Sequence, residues 1–144
     1  MSEQNMNTVR RLLLEVWTQG NVALLPELLA EDALSRPMPQ MDALRGPDEY
    51  MHFIAVYKGA FQEMSFNIED QFAADNKVAT RWVATVIEAA DDDNSSEPIA
   101  IDGVTITHHA SDGKIISEWA TWDTHSLVES AAAPQIYEQL SIKV

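Results

Sequence analysis

The chain has 144 residues, 46% of them hydrophobic, enough for one domain with a real buried core and too many for a disordered chain. Its 23 acidic residues against 9 basic ones give a formal net charge of −14, so neither nucleic acid nor an anionic membrane surface is an expected partner. There is no cysteine, which excludes a disulfide framework, a zinc–thiolate site and a thiol nucleophile.

The opening stretch "MSEQNMNTVRR" lacks the apolar core of a signal peptide. No later apolar run approaches a membrane span, so a soluble, cytoplasmic protein is expected. In "TVRRLLLEVWTQGN", Val9, Leu12, Leu13, Val16 and Trp17 recur at the spacing of an amphipathic helix. Asn7 or Thr8 suits its start and Gly20 its C′ position. A second short helix is read in "VALLPELLAED", with Pro26 in its first turn, where a missing N–H costs nothing. The proline-rich "SRPMPQMDALRGP" is an irregular connection. Pro47 then opens a third helix, along which Tyr50, Phe53, Ile54, Tyr57 and Phe61 line one side.

Beyond Phe61 the period drops from 3.6 to two. "SFNIEDQF" alternates, Asp75-Asn76 turns the chain, and "VATRWVATVIEAA" is a long β-type run. "DDDNSSE", Asp91 to Glu97, reads as an exposed acidic loop. "PIAIDGVTITHHA" is a further strand with a bulge expected near Asp102-Gly103, and "SDGK" turns it into "IISEWATWD". Three helices followed by four antiparallel strands make an α+β domain spanning residues 1–144. Helices packed on one face of a curved sheet would leave a pocket at its open end.

Strict alternation in "GKIISEWATWD" puts Ile115, Ser117, Trp119, Thr121 and Asp123 on one strand face. Ile116, Glu118, Ala120 and Trp122 fall on the other, which is taken as the outer face. If Ser111-Asp112-Gly113 form a type I turn with a glycine bulge, His109 faces Ile115 and shares the side of Trp119 and Asp123. A plain two-residue turn puts His108 there instead. Trp17, Phe53, Tyr57 and Trp119 are candidate pocket walls as well as candidate core, and the facing of Arg81 is open. His52 and His125 have no interpretable spacing, and no HExxH-like ligand set occurs, so neither metal nor cofactor is expected.

Taken in order, "LLLEVWTQGNVALLPELLAEDAL", "LRGPDEYMHFIAVYKGAFQEMSFNIEDQFAADNKVATRW" and "GVTITHHASDGKIISEWATWD" resemble the SnoaL-like polyketide cyclases, within the nuclear transport factor 2-like (ketosteroid isomerase-like) fold. The resemblance runs from about Val9 to Leu127. It implies a cone-shaped half-barrel, three N-terminal helices on a curved, mainly antiparallel sheet, and pairing into a homodimer through the outer sheet face. It also implies cofactor-free cyclase- or isomerase-type chemistry on a small apolar carbonyl compound, with Asp123 as general acid/base near His109. The alternative is a non-catalytic domain of the same fold that binds a small apolar ligand or dimerises. Three departures stand out: "TVIEAADDD" replaces a Gly-Thr-His-x-Gly segment, the region of Arg36 replaces a histidine, and Gln62-Glu63 replaces Pro-Asp. The Arg-x-Asp pair of limonene epoxide hydrolases is missing at Arg81-Trp82-Val83, and no second inward carboxylate of ketosteroid isomerase type is read.

Overall fold

The computed structural model describes residues 2–39, 41–88 and 97–123. The acidic stretch at 91–96 and everything after Asp123, His125 included, lie outside the described residues. The first helix, α1 (Ser2–Arg11), starts earlier than expected and runs through Asn7 and Thr8, whose hydroxyl donates to the Gln4 carbonyl at 3.0 Å. It continues into a π-helical turn, Leu12–Thr18, closed by the Thr18 hydroxyl donating to the Leu13 carbonyl at 2.9 Å. The predicted apolar stripe is buried throughout: Val9, Leu12 and Val16 are fully enclosed, and Leu13 and Trp17 nearly so. Gly20 ends the helical run as expected, its N–H on the Val16 carbonyl at 2.9 Å.

A 3₁₀ turn (Val22–Leu24) leads into α2 (Leu25–Leu28), with Pro26 in its first turn. The helix read across "LLAED" stops there. Leu29–Arg36 is instead a strand, β1, followed by the two-residue strand β2 (Leu44–Arg45) and by α3 (Gly46–Ala60), with Pro47 in its first turn. Then come β3 (Phe61–Ala74), β4 (Lys77–Glu88), β5 (Ile99–His109) and β6 (Ile115–Trp122). The six strands form one sheet in the order β2-β1-β6-β5-β4-β3. Every pairing is antiparallel except β1 against β6. The four-strand expectation therefore misses the two early strands, and the α+β layering of three helices on a mainly antiparallel sheet holds.

The core lies between the helices and the inner sheet face. Val78, Thr80, Trp82, Ala84 and Val86 of β4 are all buried, while Arg81 points outward and is exposed. On β5, Ile101, Gly103, Thr105, Thr107 and His109 face in. The turn after β5 has the predicted bulged form: Ala110 N–H donates to the Lys114 carbonyl, Gly113 takes φ +90°, and His109 sits opposite Ile115. The bulge expected near Gly103 is absent; the β5 register against both neighbours is unbroken there. That glycine is needed for another reason. A Cβ on Gly103 would stand 2.4 Å from two carbons of the Trp82 indole and 2.9 Å from Trp122 Cβ.

The actual bulge lies in β6. His108 pairs with Ser117 while the next residue, His109, pairs with Ile115, so β6 holds an extra residue, Ile116. One extra residue exchanges the two faces of everything that follows. Ile115 is fully buried as expected, yet beyond the bulge Glu118 and Ala120 are buried and Trp122 half-buried, while Trp119 and Thr121 face out. The outer face assigned to Ala120 and Trp122 is corrected accordingly; only Ile116 of that set is exposed.

Replacing Gly103 with Ala should displace the Trp82 ring and cost about 1–3 kcal/mol of stability by overpacking. Denaturant unfolding measures it, and near-ultraviolet circular dichroism should show the change in the tryptophan environment.

Candidate active site

The helices and the inner sheet face enclose a small apolar cavity of about 50 Å³. The π-helical turn carries Leu13 and Trp17 onto its wall. The indole meets Tyr50, Phe53 and Tyr57 of α3 edge-on at centroid distances of 6.1, 5.8 and 6.1 Å. Phe66 of β3 closes in at 5.8 Å and stacks edge-on against Trp82 at 5.0 Å. Edge-to-face packing of this kind fixes ring orientation as well as burying area.

Most polar atoms of the aromatic wall are already satisfied. Trp82 Nε1 donates to the Thr105 hydroxyl at 2.8 Å, Trp122 Nε1 to the Pro37 carbonyl at 2.9 Å, and the Tyr57 hydroxyl to Met38 Sδ at 2.9 Å. Glu118 is different. It is 2% exposed and projects from β6 into this wall. The Tyr50 hydroxyl donates to its Oε2 at 3.2 Å, and Trp17 Nε1 donates to the Tyr50 oxygen at 3.0 Å. Its other oxygen, Oε1, is buried with no hydrogen-bond partner among the described residues. Among the described residues only Arg36 Nε and Gln71 Oε1 share that condition, and neither residue lines the cavity.

A carboxyl group in such surroundings resists ionisation, because burial disfavours the anion. Burial pushes Glu118 from an ordinary 4.5 up to about 7, against the smaller downward pull of the Tyr50 hydrogen bond. Burial, reinforced by the Glu118 charge, holds the Tyr50 hydroxyl well above its ordinary range. Tyr50 is therefore a donor at every physiological pH. Among the described residues, no Lys, Arg or His lines the cavity.

The candidate residues read from the sequence divide in two. Trp17, Phe53 and Tyr57 line the cavity together. Trp119 does not: it is 47% exposed on the outer face, with the Arg36 guanidinium 4.3 Å above its ring. The bulge in β6 is the reason. Arg81 is exposed on that outer face, and His108 is half-buried opposite Ser117 and Lys77. His109 is buried outside the cavity wall, Nδ1 at 2.9 Å from the Gly113 carbonyl and Nε2 at 2.8 Å from the Thr107 hydroxyl. A carbonyl oxygen can only accept, so Nδ1 carries the proton and Nε2 accepts from Thr107. Burial lowers the His109 pKa, partly offset by the Gly113 bond, with His108 adding a smaller push downward. Asp123 is exposed one residue beyond β6, its N–H 3.3 Å from the Asp102 carbonyl, and is not part of the cavity wall.

Sequence reasoning missed Glu118 and its partner Tyr50 as functional residues. Tyr50 carried a signal, since it shares the α3 stripe with Phe53 and Tyr57. Glu118 carried one too: a lone acid alternating with Ala120 and Trp122 is odd for either face. Among the described residues no three His, Asp or Glu side chains gather as a metal-ligand group, and no helix is long and apolar enough to cross a membrane.

Comparison with known proteins fits this architecture. A candidate SnoaL-like polyketide cyclase from Jannaschia sp. CCS1 superposes with a TM-score of 0.77 at 21% identity, over 92% of this chain and 94% of that one. IdmH, a candidate polyketide cyclase from Streptomyces antibioticus, gives 0.73 at 22% identity over 87% and 96%. A nuclear transport factor 2-like protein of unknown function from Burkholderia pseudomallei gives 0.74 at 18% identity over 89% and 96%. At these identities the likeness is one of fold. No curated protein sequence matches the chain. The family model for SnoaL-like polyketide cyclases matches residues 7–130, and the chain belongs to that family.

Proposed function

We propose that the protein is a cofactor-free enzyme of cyclase or isomerase type, acting on a small apolar carbonyl compound, with Glu118 as the general acid/base. One observation carries this reading: a fully buried carboxyl with an unpaired oxygen on the wall of an aromatic cavity, where burial pushes its pKa up to about 7. A general acid/base works best when its pKa lies near the operating pH. As carboxylate, Oε1 takes a proton from the carbon beside a carbonyl, and the C–H electron pair becomes the enolate. In an isomerisation the acid returns that proton elsewhere on the same framework. In a cyclisation the enolate carbon bonds to a second carbonyl carbon, whose oxygen takes the proton back from Oε1 and restores the carboxylate.

The family resemblance puts this role on Asp123, with His109 nearby. Two substitutions separate the assignments. Exchange of deuterium into the α-position of phenylacetone, an apolar enolisable ketone, is followed by proton NMR. Glu118→Gln keeps the shape and removes the titrating proton, so exchange should fall by about 10²-fold or more. Asp123→Asn should leave it within a few-fold. The reverse pattern would hand the chemistry to Asp123. Retained ligand binding with no exchange in the wild-type protein would leave the non-catalytic apolar-ligand reading standing.

Stability gives a second test that needs no substrate. Glu118 titrates near 4.5 in the unfolded chain and near 7 in the folded one, so between those values the folded state holds the extra proton. Its contribution is whole below about 4.5 and is lost as pH rises through 7. His109 runs the other way: its folded pKa lies below 6.5, so its contribution is present above 6.5 and is lost on acidification. Comparing each protein with Glu118→Gln cancels the histidine. From pH 5 to pH 8 the wild type should lose about 2–3 kcal/mol of unfolding free energy relative to that variant. Equal pH slopes would place Glu118 among ordinary carboxylates.

We also propose a homodimer joined through the outer sheet face. Cross-strand partners Phe72, Ala79, Ile106 and Trp119 form an uncharged row over four strands, with Phe72 65% and Trp119 47% exposed. Two copies laid row on row would cover it without opposing their acidic charges there. Sedimentation at micromolar concentration should show twice the 16.1 kDa chain mass, and Ile106→Asp should return the monomer. A monomeric wild type would refute it.

A further inference from the structure

We propose that Tyr50 and Trp17 are positioning residues for Glu118: their hydrogen-bonded chain confines proton exchange to Oε1 and sets the pH at which it occurs. The inference rests on Glu118 as the acid/base.

The direction of each hydrogen bond follows from what each group can do. Trp17 Nε1 only donates, and it donates to the Tyr50 hydroxyl, 3.0 Å away. With that lone pair occupied, the hydroxyl turns its one proton to Glu118 Oε2, 3.2 Å away. Oε2 is thereby an acceptor in both protonation states. The acidic proton of neutral Glu118 must sit on Oε1, the oxygen with no protein partner. In the carboxylate, Oε1 is likewise the open acceptor.

The same bond controls the titration. A hydroxyl donating to a carboxylate favours the anion more than the neutral acid, because charge-assisted bonds are the stronger ones. Among the described residues, the other groups facing Glu118 are neutral. β5 contributes Thr105, whose hydroxyl serves Trp82, and Thr107, opposite Glu118 and bonded to His109. β1 contributes Ser35, the register partner of Glu118. Its neighbour Arg36 lies over Trp119 on the outer face. Among the described residues Tyr50 is thus the group whose removal strips a stabiliser from the anion without changing nearby charge. Trp17 acts through it, since a hydroxyl that accepts a hydrogen bond is a better donor.

The test is a carboxyl titration of the full chain carrying ¹³C-labelled glutamate, the Glu118 signal being the one missing from Glu118→Gln. Tyr50→Phe keeps the ring and deletes the hydroxyl. It should move the Glu118 midpoint up by about one pH unit, a tenfold change in the ratio of acid to carboxylate. Trp17→Phe should move it the same way by less. Ile54→Val, buried on α3 away from the cavity wall, should leave it in place. The pH at which deuterium exchange reaches half its maximum should follow the same shifts, a coupling that mere loss of packing does not produce. A wild-type midpoint near 4.5 overturns the assignment of Glu118 itself. A wild-type midpoint near 7, unmoved or lowered in Tyr50→Phe, overturns the positioning role alone. If Tyr50→Phe does not fold, Trp17→Phe decides: an upward move supports the proposal, and an unmoved midpoint overturns it.

Discussion

The extra residue in β6 decides what the cavity can do. Across the strand pair, His109 faces Ile115 but His108 faces Ser117, and the residue passed over turns the rest of β6 by one face. Without that step Trp119 would point inward, filling the cavity with another indole, and Glu118 would sit in water with an ordinary carboxylate pKa. With it, Glu118 meets Tyr50 of α3, and Trp122 reaches across to the Pro37 carbonyl after β1. The parallel pairing of β1 with β6 follows the same local geometry: its register also breaks after Leu29, resuming at Leu34 opposite Ser117, so that Ser35 meets Glu118.

Keeping Glu118 there has a cost that packing must cover. A rise from 4.5 to about 7 corresponds to about 3 kcal/mol by which the folded surroundings disfavour the anion. One hydroxyl donor offsets part of that penalty, and a buried acceptor on Oε1 remains open. Natural cores rarely leave such an atom unmet unless a ligand or a reaction uses it. The surrounding aromatic side chains supply the compensation, since each large ring buries enough apolar area to outweigh a fraction of a lost hydrogen bond. The carboxyl is therefore bought with tryptophan and tyrosine.

Much of this was legible in the residues. The stripe from Val9 to Trp17, the prolines that open α2 and α3, the long β runs and the bulged turn at Ser111–Gly113 all follow from periodicity and turn chemistry. The order of those pieces resembles the family whose model matches the chain. The α3 stripe gave Phe53 and Tyr57 as cavity walls, and the first helix gave Trp17. The face of β6 was not legible, because a strand bulge has no signature in "KIISEWATWD"; the pattern of apolar residues fits either phase. Counting strictly from Ile115 gives Trp119 inside, and counting from Ala120 gives Glu118. β1 was hidden for a different reason: "LAEDALSR" has the composition of a helix and becomes a strand through its neighbours β2 and β6. Gly103 showed the converse, a correct sense that the glycine is special with the wrong cause.

The size of the cavity ties recognition to proton placement. About 50 Å³ is well below the roughly 150 Å³ that houses a benzene ring and the 300–1,000 Å³ of sites for larger ligands. A ligand of even one ring must therefore displace part of the wall. Trp17 touches Tyr50, Phe53, Tyr57 and Phe66, so a shift of the indole would be felt by all four rings. The indole on that wall is also the first donor in the chain that ends on Glu118. A displaced Trp17 frees the Tyr50 oxygen to accept from the ligand and loosens the bond that favours the carboxylate. A ligand that leaves Trp17 in place keeps Glu118 closer to its anion. Binding and protonation are then one equilibrium, and the wall that selects for shape is also the part that readies the acid.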